Sequence, residues 1–77
     1  MVRRARERNR QLLGQNIRLA REAKGWTQEE LAEHGDLDRS YIGSIERGER
    51  NISFTTLLKL ARALKVKLAQ LMGDLPR

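Results

Sequence analysis

Thr27-Gln28-Glu29-Glu30-Leu31-Ala32-Glu33-His34-Gly35-Asp36-Leu37-Asp38-Arg39-Ser40-Tyr41-Ile42-Gly43-Ser44-Ile45-Glu46-Arg47 reads as two short helices joined by a tight turn. Thr27 is a good N-cap and Glu30 stands three residues on, the reciprocal arrangement that satisfies two otherwise unpaired backbone donors. Trp26 and Leu31 occupy the apolar staple positions on either side of that cap. The same pattern recurs at Asp38, flanked by Leu37 and Ile42, and further on at Ser53, flanked by Ile52 and Leu57. Leu31, Ala32, Leu37, Ile42 and Ile45 are the inward positions, with Ala32 small where the two helices cross. Gly35 and Asp36 fall where the chain reverses. Glycine adopts the left-handed conformation freely and aspartate tolerates it, so either residue can hold that position.

Working outward, the periodicity predicts three more helices and no strand. The first runs from about residue 10 to Lys24, with Leu13, Ile17 and Ala20 at helical spacing and Gly25 as its stop; residues from Glu7 can extend it backwards. The central pair covers Gln28 to about His34 and Arg39 to about Arg47, ended by Gly48. A fourth helix spans about Phe54 to Leu64, with Phe54, Leu57, Leu58, Ala61 and Leu64 as its apolar stripe. A short fifth, about Lys67 to Met72, lacks a Ser or Asp cap and stops before Gly73. The expectation is a compact all-α, five-helix domain over residues 11–77, preceded by a basic arm or helix extension over residues 1–10.

Seventy-seven residues make one domain, which buries roughly 60% of the surface its unfolded chain would expose. There is no cysteine, hence no disulfide framework and no thiolate metal site. No apolar run reaches membrane-spanning length, and the Arg-rich start has no apolar region behind it, so a cytoplasmic, nucleoid-associated protein with no membrane partner is expected. The net charge of +6 is unevenly distributed: the first ten residues hold Arg3, Arg4, Arg6, Arg8 and Arg10 against Glu7 alone. Glu29, Glu30 and Glu33 make the first helix of the central pair acidic, while Arg39, Arg47 and Arg50 lie in or just after the second. A polyanion would meet the arm and the far side of the pair, and nucleic acid is the partner that fits.

Two short capped helices around a tight turn, with polar side chains on the second, are the sequence form of a helix-turn-helix, whose second helix enters the DNA major groove. Leu-Gly-Gln-Asn-Ile-Arg from Leu13, Lys-Gly-Trp-Thr-Gln-Glu-Glu-Leu-Ala from Lys24, Asp-Arg-Ser-Tyr-Ile from Asp38 and Ile-Glu-Arg-Gly from Ile45 resemble the Cro/lambda-repressor-like, XRE-type regulators over about residues 12–72. Within that family, Leu-Asp-Arg-Ser-Tyr-Ile and Ile-Glu-Arg-Gly-Glu-Arg-Asn look most like restriction–modification controller proteins. The resemblance implies a homodimeric regulator that binds a palindromic operator. Phage-type repressors and antitoxins of toxin–antitoxin pairs share the fold, and a helical adaptor binding protein is the reading from a different class.

Arg39, in the first turn of the second helix, is placed to bond guanine O6 and N7. Ser40, Tyr41 and Ser44 are its polar neighbours for base-edge or phosphate bonds. Thr27 and Gln28 stand where exposed backbone donors and the helix dipole favour a phosphate. Arg47, Arg50 and Asn51 follow the second helix, in the loop that the resemblance lays along the sugar–phosphate backbone; Thr56 matches a family phosphate contact. Gly43 is expected to let the backbone approach DNA or a neighbouring helix, and Glu46 to pair with an arginine or take part in capping. Leu68, Leu71, Met72 and Leu75 are the expected dimer face.

Catalytic chemistry finds no foothold. His34 is the sole histidine and has no cysteine partner, so neither a metal site nor a nucleophile–base pair assembles around it. It is expected at a helix C-terminus, favoured by the dipole. Glu29 and Glu30 are adjacent and point in different directions on a helix. No phosphate-cradling glycine motif is present, and no cofactor or small-molecule ligand is implied.

Overall fold

The computed structural model describes residues 2–73, with side chains from residue 6 onward. Five helices follow one another: α1 (Val2–Ala23), α2 (Gln28–Gly35), α3 (Arg39–Glu46), α4 (Phe54–Leu64) and α5 (Leu68–Leu71). All described regular structure is helical. α1 begins at Val2, eight residues before the start expected from its apolar spacing. Leu75 lies outside the described residues.

The local chemistry read from the sequence is in place. The Thr27 hydroxyl accepts the Glu30 N–H at 3.1 Å, and the Glu30 carboxylate accepts the Thr27 N–H at 2.8 Å, a complete capping box. Asp38 caps α3 and Ser53 caps α4, each accepting a backbone N–H from the first turn. The turn between α2 and α3 resolves in favour of Asp36, which holds the left-handed position at φ 54° while Gly35 completes the helix. The Leu37 N–H donates to the Ala32 carbonyl at 2.8 Å, closing the last turn of α2. Where α5 lacks a hydroxyl cap, the Gln70 side chain accepts the Lys67 N–H at 2.9 Å instead. The end of α5 is held from α1: Asn16 Nδ2 donates to the Leu71 carbonyl at 2.8 Å and the Gly73 carbonyl at 2.9 Å.

One core joins all five helices. Ile17 of α1, Leu31 and Ala32 of α2, Ile42 and Ile45 of α3, Leu57, Leu60, Ala61 and Leu64 of α4, and Leu71 of α5 are buried together. Two expectations fail here for geometric reasons. Phe54 is 65% exposed: it opens α4, a turn before that helix meets the core. Leu71, expected at a dimer face, is 1% exposed and belongs to the monomer core.

Two glycines permit the close approach of α1 to α3. A Cβ on Gly14 would stand 2.3 Å from the Ile45 carbonyl oxygen, so only glycine fits the crossing. Just beyond α3, Gly48 turns the chain at φ 76° against Gln11, whose Cα would lie 2.9 Å from a side chain there. α1 is thereby seated along the end of α3 and the loop that follows it.

Candidate nucleic-acid interface

α3 is amphipathic in the manner a groove-reading helix requires: Ile42 and Ile45 are buried, while Arg39 and Ser40 are exposed. No carboxylate of the described residues lies within ion-pair distance of Arg39. Its guanidinium therefore keeps its donors for an outside acceptor. Ser40 has a local task, since its hydroxyl and its N–H both donate to the Asp38 carboxylate. The hydroxyl bond is the main reason that Asp38 titrates below the ordinary carboxylate range.

Tyr41 is half-buried, and the Arg50 guanidinium lies 5.6 Å from its ring centroid. Arg50 Nε also donates to the Ser44 hydroxyl at 3.2 Å. Ser44 in turn donates to the Tyr41 carbonyl at 2.8 Å and is buried. Contrary to the expectation of a DNA contact, its hydroxyl is thus turned inward and spent on bracing Arg50 against α3. The reason is helical phase: Ser44 shares the inner side of α3 with Ile45.

Behind α3 lies a buried ionic network. Arg21 of α1 forks onto Glu46 at 2.7 and 3.0 Å, with the two side chains 11% and 4% exposed. Hydrogen bonding to Glu46 raises the Arg21 pKa above its ordinary value. Arg21 also donates to the Trp26 carbonyl at 2.7 Å, and Gln28 Nε2 donates to Glu46 at 3.0 Å. One carboxylate therefore ties α1, the start of α2 and the end of α3 together. Fixing the Gln28 amide nitrogen on Glu46 turns its carbonyl oxygen towards Gly43, where it would lie 3.4 Å from an added Cβ. Gly43 is buried beneath Gln28 and Arg47, so its missing side chain makes room for those two.

Arg18, Arg21, Gln28, Glu46 and Arg47 line one cleft at the α2 N-terminus. Arg47 is exposed and pairs with Glu49 at 3.0 Å, which raises the Arg47 pKa and lowers that of Glu49. The Thr56 hydroxyl accepts from Ser53 at 3.0 Å beside the α4 cap. Asn51 is exposed and accepts from Arg10 at 3.3 Å. The expected site residues hence fall at the outward first turn of α3, the cleft at the start of α2, the loop from Arg47 to Asn51 and, for Thr56, the first turn of α4, with Ser44 turned inward. Sequence reasoning missed Arg21, which lies 25 positions from its partner Glu46. His34 is in the last turn of α2 as expected, and its ring stacks on Trp26 with centroids 4.1 Å apart.

Among known families, the helix-turn-helix pattern matches residues 17–71. The control protein C.SmaI of Serratia marcescens is 43% identical over 63 residues, covering 82% of this chain and 75% of that protein. The crystal structure of the restriction-modification controller protein C.AhdI from Aeromonas hydrophila is similar with a TM-score of 0.79 at 48% identity, over 80% of this chain and 94% of that one. A hypothetical transcription factor from Neisseria is similar with a TM-score of 0.80 at 45% identity, over 83% of this chain and 74% of that one.

Proposed function

This chain belongs to the helix-turn-helix family of DNA-binding transcription regulators, and we propose that it is a homodimeric controller of a restriction–modification system, reading a palindromic operator with α3 in the major groove. The observation that carries the reading is the exposed first turn of α3, where Arg39 has no carboxylate partner among the described residues, on a helix otherwise locked into the core. A guanidinium so presented bonds guanine in bidentate fashion, whereas Gln28, Arg47 and Asn51 hold the register on phosphates. The likeness to control proteins, which extends over nearly the whole of the C.AhdI chain, supports the narrower role.

One domain of this size reads a short half-site. Two-fold pairing sets two recognition helices about 34–36 Å apart, one turn of DNA. Leu19, Phe54 and Met72, 63%, 65% and 40% exposed, are the large apolar side chains left uncovered among the described residues, and we assign the dimer face to Phe54 and Met72, with Leu68 at its edge. Localisation in the cytoplasm, with the nucleoid, goes with that role.

The test is binding to a duplex from the gene's own upstream region against a scrambled duplex, at two salt concentrations. A preference of about 10³-fold or more, with two subunits per duplex, is expected. Equal, salt-sensitive binding to both would leave only a basic surface. Restriction and methylase genes beside this one would support the controller role over that of an antitoxin or a phage repressor.

A further inference from the structure

We propose that the N-terminal extension of α1 builds a second DNA-backbone site with the loop after α3, a phosphate-binding cleft walled by Arg6, Arg10 and Arg50. It rests on the DNA-binding reading and adds a contact outside the helix-turn-helix itself. The cleft has a volume of about 470 Å³, and no carboxylate is among the residues that line it. The three arginines share the lining with Asn9, Asn51 and the apolar Leu13, Ile52 and Met72, the last of which belongs to the dimer face assigned above. The acid of the neighbouring loop, Glu49, is held by Arg47. An arrangement of like charges around an open cleft is most stable with an anion between them.

Arg10 is the positioning element. It donates from Nε to the Gly48 carbonyl at 3.4 Å and from Nη1 to Asn51 Oδ1 at 3.3 Å, which fastens α1 to the loop. A guanidinium carries five N–H donors, so three remain for a ligand. Arg6 stands one helical turn before it on the same side of α1 and is exposed. Arg50 forms the opposite wall and also stacks on Tyr41 of α3. Arg50 thereby links the cleft to α3, the helix that the proposed function seats in the groove. Arg6 and Arg10 both precede residue 17, where the match to the helix-turn-helix family begins.

The test compares wild type with R6Q and R6Q/R10Q on the preferred operator duplex, measuring affinity from low to moderate salt and mapping phosphates by ethylation interference. Arg6 is exposed, so R6Q leaves the fold intact; the charge-retaining R6K serves as the second control. Each arginine–phosphate contact removed is expected to flatten the slope of log K against log salt by about 0.9. R6Q should also erase interference at phosphates that R39A leaves protected, R6K should restore both, and preference over scrambled DNA should persist. An unchanged salt slope and interference pattern in R6Q/R10Q would overturn the proposal, as would a change in dimer dissociation alone, which would make the cleft a contact between copies. Failure of the underlying reading looks different: wild type itself would then show no preference for any operator.

Discussion

Gly14 and Ile45 touch backbone to backbone: a methyl group on Gly14 would lie 2.3 Å from the Ile45 carbonyl oxygen and 2.8 Å from that of Glu46. These atoms belong to α3, so neither can yield without moving that helix. G14A is expected to destabilise the domain by about 3 kcal/mol or more, the upper range for overpacking. G25A is the control. Gly25 has φ 72° but nothing within 4 Å of an added Cβ, so its cost is the left-handed penalty of about 1–2 kcal/mol. Denaturant midpoints of the two variants would decide it; equal losses would mean that the α1–α3 crossing is not tight.

The Arg21–Glu46 pair is buried, bidentate and shared with Gln28. Removing one partner strands a charge in a poor solvent. E46A is expected to cost about 3–5 kcal/mol, and the paired apolar replacement R21M/E46L to regain most of that. Urea unfolding of both variants checks the prediction. Should E46A unfold like wild type, the network would contribute no stability.

How much of this could be read without coordinates depends on the range of each interaction. The caps at Thr27, Asp38 and Ser53 each act within three residues, so local chemistry specifies them fully. The same holds for the amphipathic phase of α3, which puts Arg39 outward and Ile42 inward. The Asp36 turn needed one further fact, that Gly35 is packed within α2. Arg21 and Glu46 meet only because α1 runs behind α3, a property of topology that no spacing rule encodes. Ser44 was misread because its polarity suggested solvent, whereas the Tyr41 carbonyl and Arg50 satisfy it inside. Phe54 departs in the opposite sense: its spacing matches the apolar stripe, but of that stripe only Leu57, Ala61 and Leu64 are buried.

Acid should loosen α3 at its cap. The hydroxyl and amide of Ser40 bond the Asp38 carboxylate and hold its pKa below the ordinary range in the folded state. A depressed native pKa contributes stability above the unfolded value, about 3.9, and that contribution is lost as pH falls through the native value. D38N caps about as well as aspartate and does not titrate. Stability followed through that acidic window should therefore fall less steeply in D38N than in wild type. Parallel curves would show that other carboxylates account for the acid sensitivity.

Arg39 and Arg47 should fail in different ways. R39A is expected to lose about 1–3 kcal/mol of discrimination for the operator over a variant altered at the contacted guanine, with binding to scrambled DNA little changed. R47A should weaken binding to every duplex alike and reduce the salt slope by about 1. Titrations on operator, altered operator and scrambled duplexes separate the two. An R39A protein that discriminates as wild type does would remove Arg39 from base reading.

Leu71 and Met72 are neighbours with opposite environments, 1% and 40% exposed. Leu71 closes the core beneath α1, and its carbonyl accepts from Asn16. Burying a carboxylate there leaves an unpaired charge among apolar groups, so L71D is expected to unfold the monomer. M72D and F54D place charge on the uncovered surface and should leave helicity intact while shifting sedimentation from dimer to monomer. If the operator is the palindrome proposed above, with two half-sites gripped together, both should also weaken operator binding well beyond the effect on a single half-site. A folded, fully dimeric F54D/M72D protein would put the two-fold interface elsewhere on the domain.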